Sequence, residues 1–359
     1  MSHLTYAEAI IVGLIQGTTE LFPVSSLGHN VLIPALVGGS WKADLNVSKP
    51  ESPYLAFIVG LHVATAIGIT AYFWRDWVRI IRGFFSSIAR WEVKKPDQKL
   101  AWMIVLATIP VGLVGVTFEH KFRVIFAVPS RAAIFLVANG IILYAGERFR
   151  TRKSLAADEQ VARERDAEPA LVGAPGAPGT PGAPGAPGAG RVAGAPGASG
   201  APGAGRVAGA HSSGQRAVRQ QEMVAAIQAD RRLTSFSFWQ AIIVGSAQIL
   251  ALLAGISRDG VTMVAGMARG LSREDAARFA FLLATPVILA AGVLKIPDLL
   301  GPLADGIRPQ IIAGSIVSGV AAYLSVRFLM KYFQTRTLTP FAIYCFVAGL
   351  ASLVYLSVH

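Results

Sequence analysis

Six stretches of the chain are predominantly apolar. Those at 54–74, 101–118, 310–330 and 340–358 are close to the roughly 20 residues that cross a bilayer as a helix. Two more, at 132–146 and 277–294, are shorter or more broken. Two further apolar segments behave differently. One predicts a helix at about 7–22, followed by Pro23-Val24-Ser25-Ser26-Leu27-Gly28-His29-Asn30 and a short apolar run at 31–37. The other predicts a helix at 238–253, the turn Ala254-Gly255-Ile256-Ser257-Arg258-Asp259-Gly260, and a run at 261–267. A helix of about sixteen residues reaches about 24 Å, short of a hydrocarbon core of about 30 Å. A polar turn at that depth must be covered by protein or line a wet cavity. Each segment is therefore expected to be a re-entrant hairpin, entering the membrane without crossing it.

The two hairpins are copies. Ala9-Ile10-Ile11-Val12-Gly13 returns as Ala241-Ile242-Ile243-Val244-Gly245, and in that register nine of the twenty positions from 9 to 28 are identical. Gln16 aligns with Gln248, Ser25 with Ser257 and Gly28 with Gly260, whereas Glu20 opposes Leu252, Ser26 opposes Arg258 and Leu27 opposes Asp259. Internal repeats with interrupted segments at matching places point to the functional site of a membrane protein. The site is expected where the two turns meet.

Charge orients this arrangement. The net charge is +12, but Arg75, Arg79, Arg82, Arg90, Lys94, Lys95 and Lys99 fall between two spans, and Arg148, Arg150, Arg152 and Lys153 follow a third. Clusters at alternate span ends are the positive-inside pattern and argue against a nucleic-acid partner. The expectation is an all-α integral membrane protein. It has six transmembrane helices plus two re-entrant helical hairpins in an inverted-topology repeat, with both termini outside and 75–99, read as a loop, in the cytoplasm. The first repeat takes 1–149 and the second 236–359. Residues 150–235 contain Gly at every third position from 173 to 188, with Ala-Pro or Thr-Pro between, and read as a disordered Gly/Ala/Pro-rich cytoplasmic linker. The flank 215–232 carries a weak signal for a basic interfacial helix.

Composition agrees with the membrane assignment: 53% of the 359 residues are hydrophobic, 15% are charged and mean hydropathy is +0.51. Residues 1–8 have no Lys or Arg and Glu20 interrupts the first apolar stretch, so a cleavable signal is not expected. A single cysteine, Cys345, excludes an intramolecular disulfide.

Ionisable groups at membrane depth are costly and mark function. A carboxylate (Glu20), an imidazole (His29) and a hydroxyl (Ser26) are the parts of an activated nucleophile, in which His29 takes the Ser26 proton and Glu20 orients or charges His29. The Arg258 fork suits a phosphate or carboxylate. Gly28, Gly255 and Gly260 let backbone N–H groups approach an anion, and the helix after each turn points its positive end there. Glu20 with phosphate oxygens offers a site for Mg²⁺ or Ca²⁺. Ser25 and Ser257 match each other and read as turn caps, and Gln16 either bonds turn backbone or serves the site. Thr262 is a cap or a phosphate donor. His62, mid-span with no motif around it, reads as structural.

The run Gln16-Gly17-Thr18-Thr19-Glu20-Leu21-Phe22-Pro23-Val24-Ser25-Ser26-Leu27-Gly28-His29 resembles the first signature of the undecaprenyl-diphosphate phosphatases, the bacitracin-resistance family. Gly255-Ile256-Ser257-Arg258-Asp259-Gly260 resembles the second, and Phe73-Trp74-Arg75, Ala107-Thr108-Ile109-Pro110, Phe281 to Pro286 and Pro340 to Tyr344 match in order. The resemblance implies removal of the terminal phosphate from a C55 isoprenoid diphosphate at the outer face of the bacterial plasma membrane. That reaction recycles the carrier for cell-wall synthesis and confers bacitracin resistance. It implies catalytic roles for Glu20, Ser26, His29 and Arg258, and substrate contacts from Gln16, Ser25, Ser257, Gly260 and Thr262. A divalent cation at Glu20 is also expected, and Asp259, where the family usually has Ser, either helps hold that cation, the favoured reading, or pairs with Arg258 and weakens its hold on phosphate. Ala254 replaces a Pro of the second motif. The expected partners are the lipid diphosphate and the bilayer, with a homodimer left open. Ser26, His29 and water all stand as candidate nucleophiles. A secondary transporter or lipid-phosphate translocator is the competing reading, because it shares inverted repeats, and a noncatalytic lipid-binding scaffold is a third.

The orientation is testable by labelling a cysteine substituted for Gln160. It should be inaccessible from outside intact cells, and labelling there would reverse the topology.

Overall fold

A computed structural model of the chain describes residues 4–45, 53–126, 128–167, 230–295, 297, 299 and 301–358. The chain forms two units, Met1–Arg152 with Ala226–His359, and Lys153–Ala225. Every contact described below lies in the first. The Gly/Ala/Pro triplets at 173–188 and the basic stretch at 215–229 lie outside the described residues.

The described residues contain helices and no strand. In order these are α1 (Tyr6–Thr19), α2 (Ser26–Val37), α3 (Gly39–Asp44), α4 (Pro53–Tyr72), α5 (Trp74–Arg90), α6 (Pro96–Phe126) and α7 (Pro129–Ala167). Then come α8 (Phe238–Ser246), continued by a 3₁₀ turn at Ala247–Leu252, α9 (Arg258–Ala268), α10 (Arg273–Leu294), α11 (Arg308–Thr335) and α12 (Thr339–Val358). Five stretches are long and apolar enough to cross a membrane: Pro96–Phe118, Pro129–Arg152, Arg273–Leu294, Arg308–Thr335 and Thr339–Val358. They cover five of the six expected runs. The sixth, at 54–74, is bent by 86° from α5, and the count reaches six if that pair is one span. Side chains such as Leu113, Val116, Ile316, Val320, Val347 and Val354 are exposed on these helices, as lipid contact requires.

The segment at 75–99 differs from the loop expected there. Trp77, Ile80, Ile81, Phe84 and Ile88 recur at helical spacing among the basic residues and form the apolar face of α5. That face packs on α6, where Phe84 meets Trp102 at 5.2 Å between ring centroids and Trp102 Nε1 donates to Ser87 Oγ at 2.9 Å. Arg79 pairs with Asp76 and Asp230, and Arg278 pairs with the same two carboxylates. Part of the basic cluster thus ties α5, α10 and the segment preceding α8 together. α7 also runs on past residue 150 to Ala167.

The duplication reaches further back than the matching phrase. Thr5 and Glu8 form a capping box at the start of α1, and their register partners Ser237 and Gln240 form one at the start of α8. Each repeat helix then packs against a helix of the other half, α1 on α11 and α8 on α6. Both contacts are made by the repeated glycine. A Cβ on Gly13 would stand 2.4 Å from the Gly314 carbonyl oxygen, and one on Gly245 would stand 2.2 Å from that of Ala107. Small residues at such crossings let helix backbones approach where no hydrophobic effect drives association.

Gly245→Val should therefore destabilise the protein by about 1–3 kcal/mol or more, read as a lower unfolding temperature in detergent. Gly112→Ala, with nothing within 4 Å of its added carbon, should stay within about 1 kcal/mol of the native protein. Equal stability of the two variants would refute the packing assignment.

Candidate active site

The two turns are built on serines. Ser25 precedes α2 with φ +71°, and its Oγ accepts the Gly28 N–H at 3.2 Å. Ser257 precedes α9, and its Oγ accepts the Gly260 N–H at 3.1 Å. Ser25 does more than cap, because its Oγ also accepts the N–H of Gly255 from the other turn at 3.2 Å. Gly28 and Gly255 meet there backbone to backbone, with room for a Cβ on Gly28 closed off 2.9 Å from the Gly255 Cα. Gly255 itself has φ +113°, a conformation that side chains disfavour.

Capping moves the chemistry. The helices start at Ser26 and Arg258, earlier than the runs at 31–37 and 261–267 expected from hydrophobicity. The first repeat helix ends at Thr19, and the second gives way to a 3₁₀ turn after Ser246. Ser26, His29, Arg258 and Asp259 therefore sit in or beside the first turn of a helix. Two positive helix ends converge on one place.

Glu20, at the C-terminal end of α1, is the centre of the cluster. Its side chain accepts hydrogen bonds from Ser26 Oγ and from Arg258 Nη2 across the turns. Gln16 Nε2 donates to the same carboxylate at 2.9 Å, and Asn30 Nδ2 donates to Gln16 Oε1 at 2.6 Å. Gln16 is completely buried, and Glu20, Ser26, His29 and Asn30 are all buried too. A carboxylate in this setting is stabilised only by such partners.

His29 stands apart from the Glu20–Ser26 bond, which differs from a chain running Ser26 to His29 to Glu20. Its Nδ1 lies 2.7 Å from the Ser25 carbonyl, to which it donates. That leaves the Nε2 lone pair to accept the Tyr344 hydroxyl at 2.7 Å. The two rings stack with centroids 5.8 Å apart. Thr262 Oγ1 donates to the Arg258 carbonyl at 2.8 Å, and the Gly260 N–H is taken by Ser257, so both are bonded within their own helix start.

Asp259 is fully buried, and neither of its carboxylate oxygens has a hydrogen-bond partner. Arg258 Nε, 3.9 Å from Asp259 Oδ1, is likewise without one. Among the described residues no three His, Cys, Asp or Glu side chains cluster as a metal site.

Three residues not read as site residues from the sequence join the cluster. Asn139 of α7 donates to the Pro23 carbonyl at 2.9 Å and accepts the Ser257 N–H at 3.0 Å, bridging the two turns. Tyr344 of α12 meets His29, and His62 of α4 reaches Glu20. Asn139 and His62 are lone polar residues within apolar runs, and that signal was available in the sequence.

Asn139→Leu should leave the Ser257 N–H unpaired and the Pro23 carbonyl with only the weak Cys345 Sγ donor at 3.8 Å, both in a buried place. Each lost partner costs about 1–3 kcal/mol. The unfolding temperature in detergent should fall clearly below that of the native protein, and an unchanged value would show that the turns hold together without this bridge.

The family model described as bacitracin resistance protein BacA matches residues 9–172 and 214–351. A protein called undecaprenyl-diphosphatase from Mycolicibacterium paratuberculosis is 52% identical over 358 residues, covering 100% of this chain and 99% of its own length. One called undecaprenyl-diphosphatase 2 from Frankia alni is 50% identical over 355 residues, with 97% of each chain covered. A more distant protein of that name from Burkholderia lata is 34% identical over 354 residues, covering 98% of this chain and 96% of its own. With both motifs gathered in one buried cluster and a match across nearly the whole chain, the chain belongs to the bacitracin resistance protein family.

Proposed function

We propose that this chain hydrolyses undecaprenyl diphosphate to undecaprenyl phosphate and inorganic phosphate, recycling the lipid carrier and so conferring bacitracin resistance. The observation that carries the proposal is the hydrogen bond from Ser26 Oγ to Glu20, with Arg258 of the other motif on the same carboxylate. A hydroxyl bonded to a buried carboxylate beside a guanidinium is the apparatus of phosphoryl transfer. A transporter needs an anion site but no activated hydroxyl, so this bond favours the enzyme.

In the proposed reaction Ser26 Oγ attacks the terminal phosphorus as its proton passes to Glu20. The Oγ–P bond forms, the bond from phosphorus to the bridging oxygen breaks, and the lipid monophosphate leaves. Arg258 turns from Glu20 toward the phosphoryl oxygens, and the starts of α2 and α9 hold the anion. Water then attacks the phosphoserine, giving a proton to His29 Nε2, while Glu20 returns the first proton to Oγ and inorganic phosphate departs. The Ser25 carbonyl keeps the His29 ring oriented through Nδ1, while Tyr344 gives up its hydrogen bond to Nε2 so that the lone pair can take that proton. Ser25, Ser257 and Gly260 shape the turns around the phosphate, and Gln16 holds Glu20. Thr262 fixes the helix start beneath Arg258.

The unpaired oxygens of Asp259 are hard donors, and with Glu20 and substrate oxygens they fit Mg²⁺ or Ca²⁺. Such an ion would neutralise charge on the diphosphate. We further read the fold as six crossings with two re-entrant hairpins in inverted halves, the site opening to the outer face. The reciprocal packing of α1 on α11 and α8 on α6 supports that reading.

Phosphate release from the lipid diphosphate by purified protein tests these assignments together. Ser26→Ala and His29→Ala should each lower turnover about 10²-fold or more, and Ser25→Ala should cost much less. Arg258→Lys keeps the charge but loses the fork and should lose most activity. Asp259→Ser should raise the metal concentration for half-maximal rate while leaving the plateau similar. A dead Ser25→Ala beside a near-normal Ser26→Ala would reverse the roles of the two hydroxyls.

A further inference from the structure

His62 belongs to neither motif. It lies in the middle of α4, and neither the capping of the turns nor the phosphoryl transfer described above uses it. Its Nδ1 is 2.9 Å from the Ile58 carbonyl oxygen. A carbonyl only accepts, so Nδ1 carries a hydrogen. Its Nε2 is 3.5 Å from Glu20 Oε2. A lone pair on Nε2 would face a carboxylate oxygen, which is repulsive, whereas a hydrogen there faces it favourably. The contact is therefore favourable with Nε2 as the donor side.

The same oxygen, Oε2, is the one that accepts Ser26 Oγ and Gln16 Nε2. Arg258 holds the other oxygen, Oε1. The ionisable groups around Glu20 are thus His62 and Arg258, with Asp259 behind the guanidinium. In the reaction Arg258 must turn to the phosphate. His62 is then the partner that remains beside Oε2 when the carboxylate has to receive the serine proton.

We propose that His62 is a positioning residue of the reaction, holding Glu20 Oε2 toward Ser26 while Arg258 is engaged with substrate. This rests on the diphosphatase reading. The chemistry itself is unchanged: the Ser26 proton goes to Glu20, the Oγ–P bond forms and the lipid monophosphate leaves. His62 acts through Glu20 and touches no reacting atom. Its side chain, 28% exposed, is supported by the α4–α11 contact, where Thr65 Oγ1 and Ser318 Oγ lie 2.9 Å apart one turn along.

The test uses the full-length protein in detergent with the lipid diphosphate. His62→Leu should lower kcat about tenfold or more with KM little changed, because misplacing a reacting group costs rate rather than binding. His62→Gln, which keeps a donor toward Glu20, should recover part of that loss. In a Glu20→Gln background, His62→Leu should cause no further loss of the residual rate. A native rate in His62→Leu would overturn the proposal, as would an equal loss with and without Glu20. Thermal unfolding of the same four proteins reads the contact separately. His62→Leu should lower the unfolding temperature in the native background and much less beside Glu20→Gln, and additive shifts would refute the contact. Native protein that releases no phosphate would overturn the diphosphatase reading and, with it, the positioning role. The unfolding cycle would then still decide whether His62 and Glu20 are coupled.

Discussion

The site depends on one buried ion pair, Glu20 with Arg258. Neither charge is tolerable alone at this depth, and removing one partner of such a pair costs about 3–5 kcal/mol. The pair joins the end of α1 in the first half of the chain to the start of α9 in the second. Around it the neutral framework is complete. Ser25 accepts an N–H from each turn, and Asn139 bonds a carbonyl of one turn and an N–H of the other. In the proposed reaction that framework would let Arg258 change partner without loss of the turn geometry. Catalysis by differential binding needs such a group, satisfied at rest and available to charge that develops later.

Duplication explains why the two turns are alike in form and different in chemistry. Ser25 and Ser257 do the same capping, and Thr5 with Glu8 does the same work as Ser237 with Gln240. Among the positions that differ between copies are those that meet: Glu20 and Ser26 from one, Arg258 and Asp259 from the other. A symmetric pair of turns would have placed like charges together. The asymmetry at three register positions is what makes a donor–acceptor cluster.

Much of this was legible in the sequence because it is local. The repeat register located both turns, and five apolar runs correspond to helices of membrane length. The matched serines read as caps. What was not legible came from competition between local signals or from distant contacts. The basic residues of α5 masked its apolar spacing, so it read as a loop. Ser26 through His29 read as turn because they are polar, although a serine cap starts the helix at Ser26. The pairing of Ser26 with Glu20, and of His29 with Tyr344, depends on how α1, α2 and α12 pack. The residue types alone suggested instead that His29 takes the Ser26 proton. His62 and Asn139 come from spans whose facing cannot be read from uniformly apolar sequence, although a lone polar residue there is itself a signal.

In the proposed reaction Ser26 takes the phosphoryl from the lipid, and His29 serves the water that removes it. The most direct measurement is acid quenching of the His29→Ala protein after mixing with lipid diphosphate labelled in its terminal phosphate, followed by peptide mapping. Loss of His29 slows the second step only, so label should accumulate on Ser26. Label on another residue, or none on Ser26 in either this variant or the native protein while the native protein releases phosphate, would contradict it.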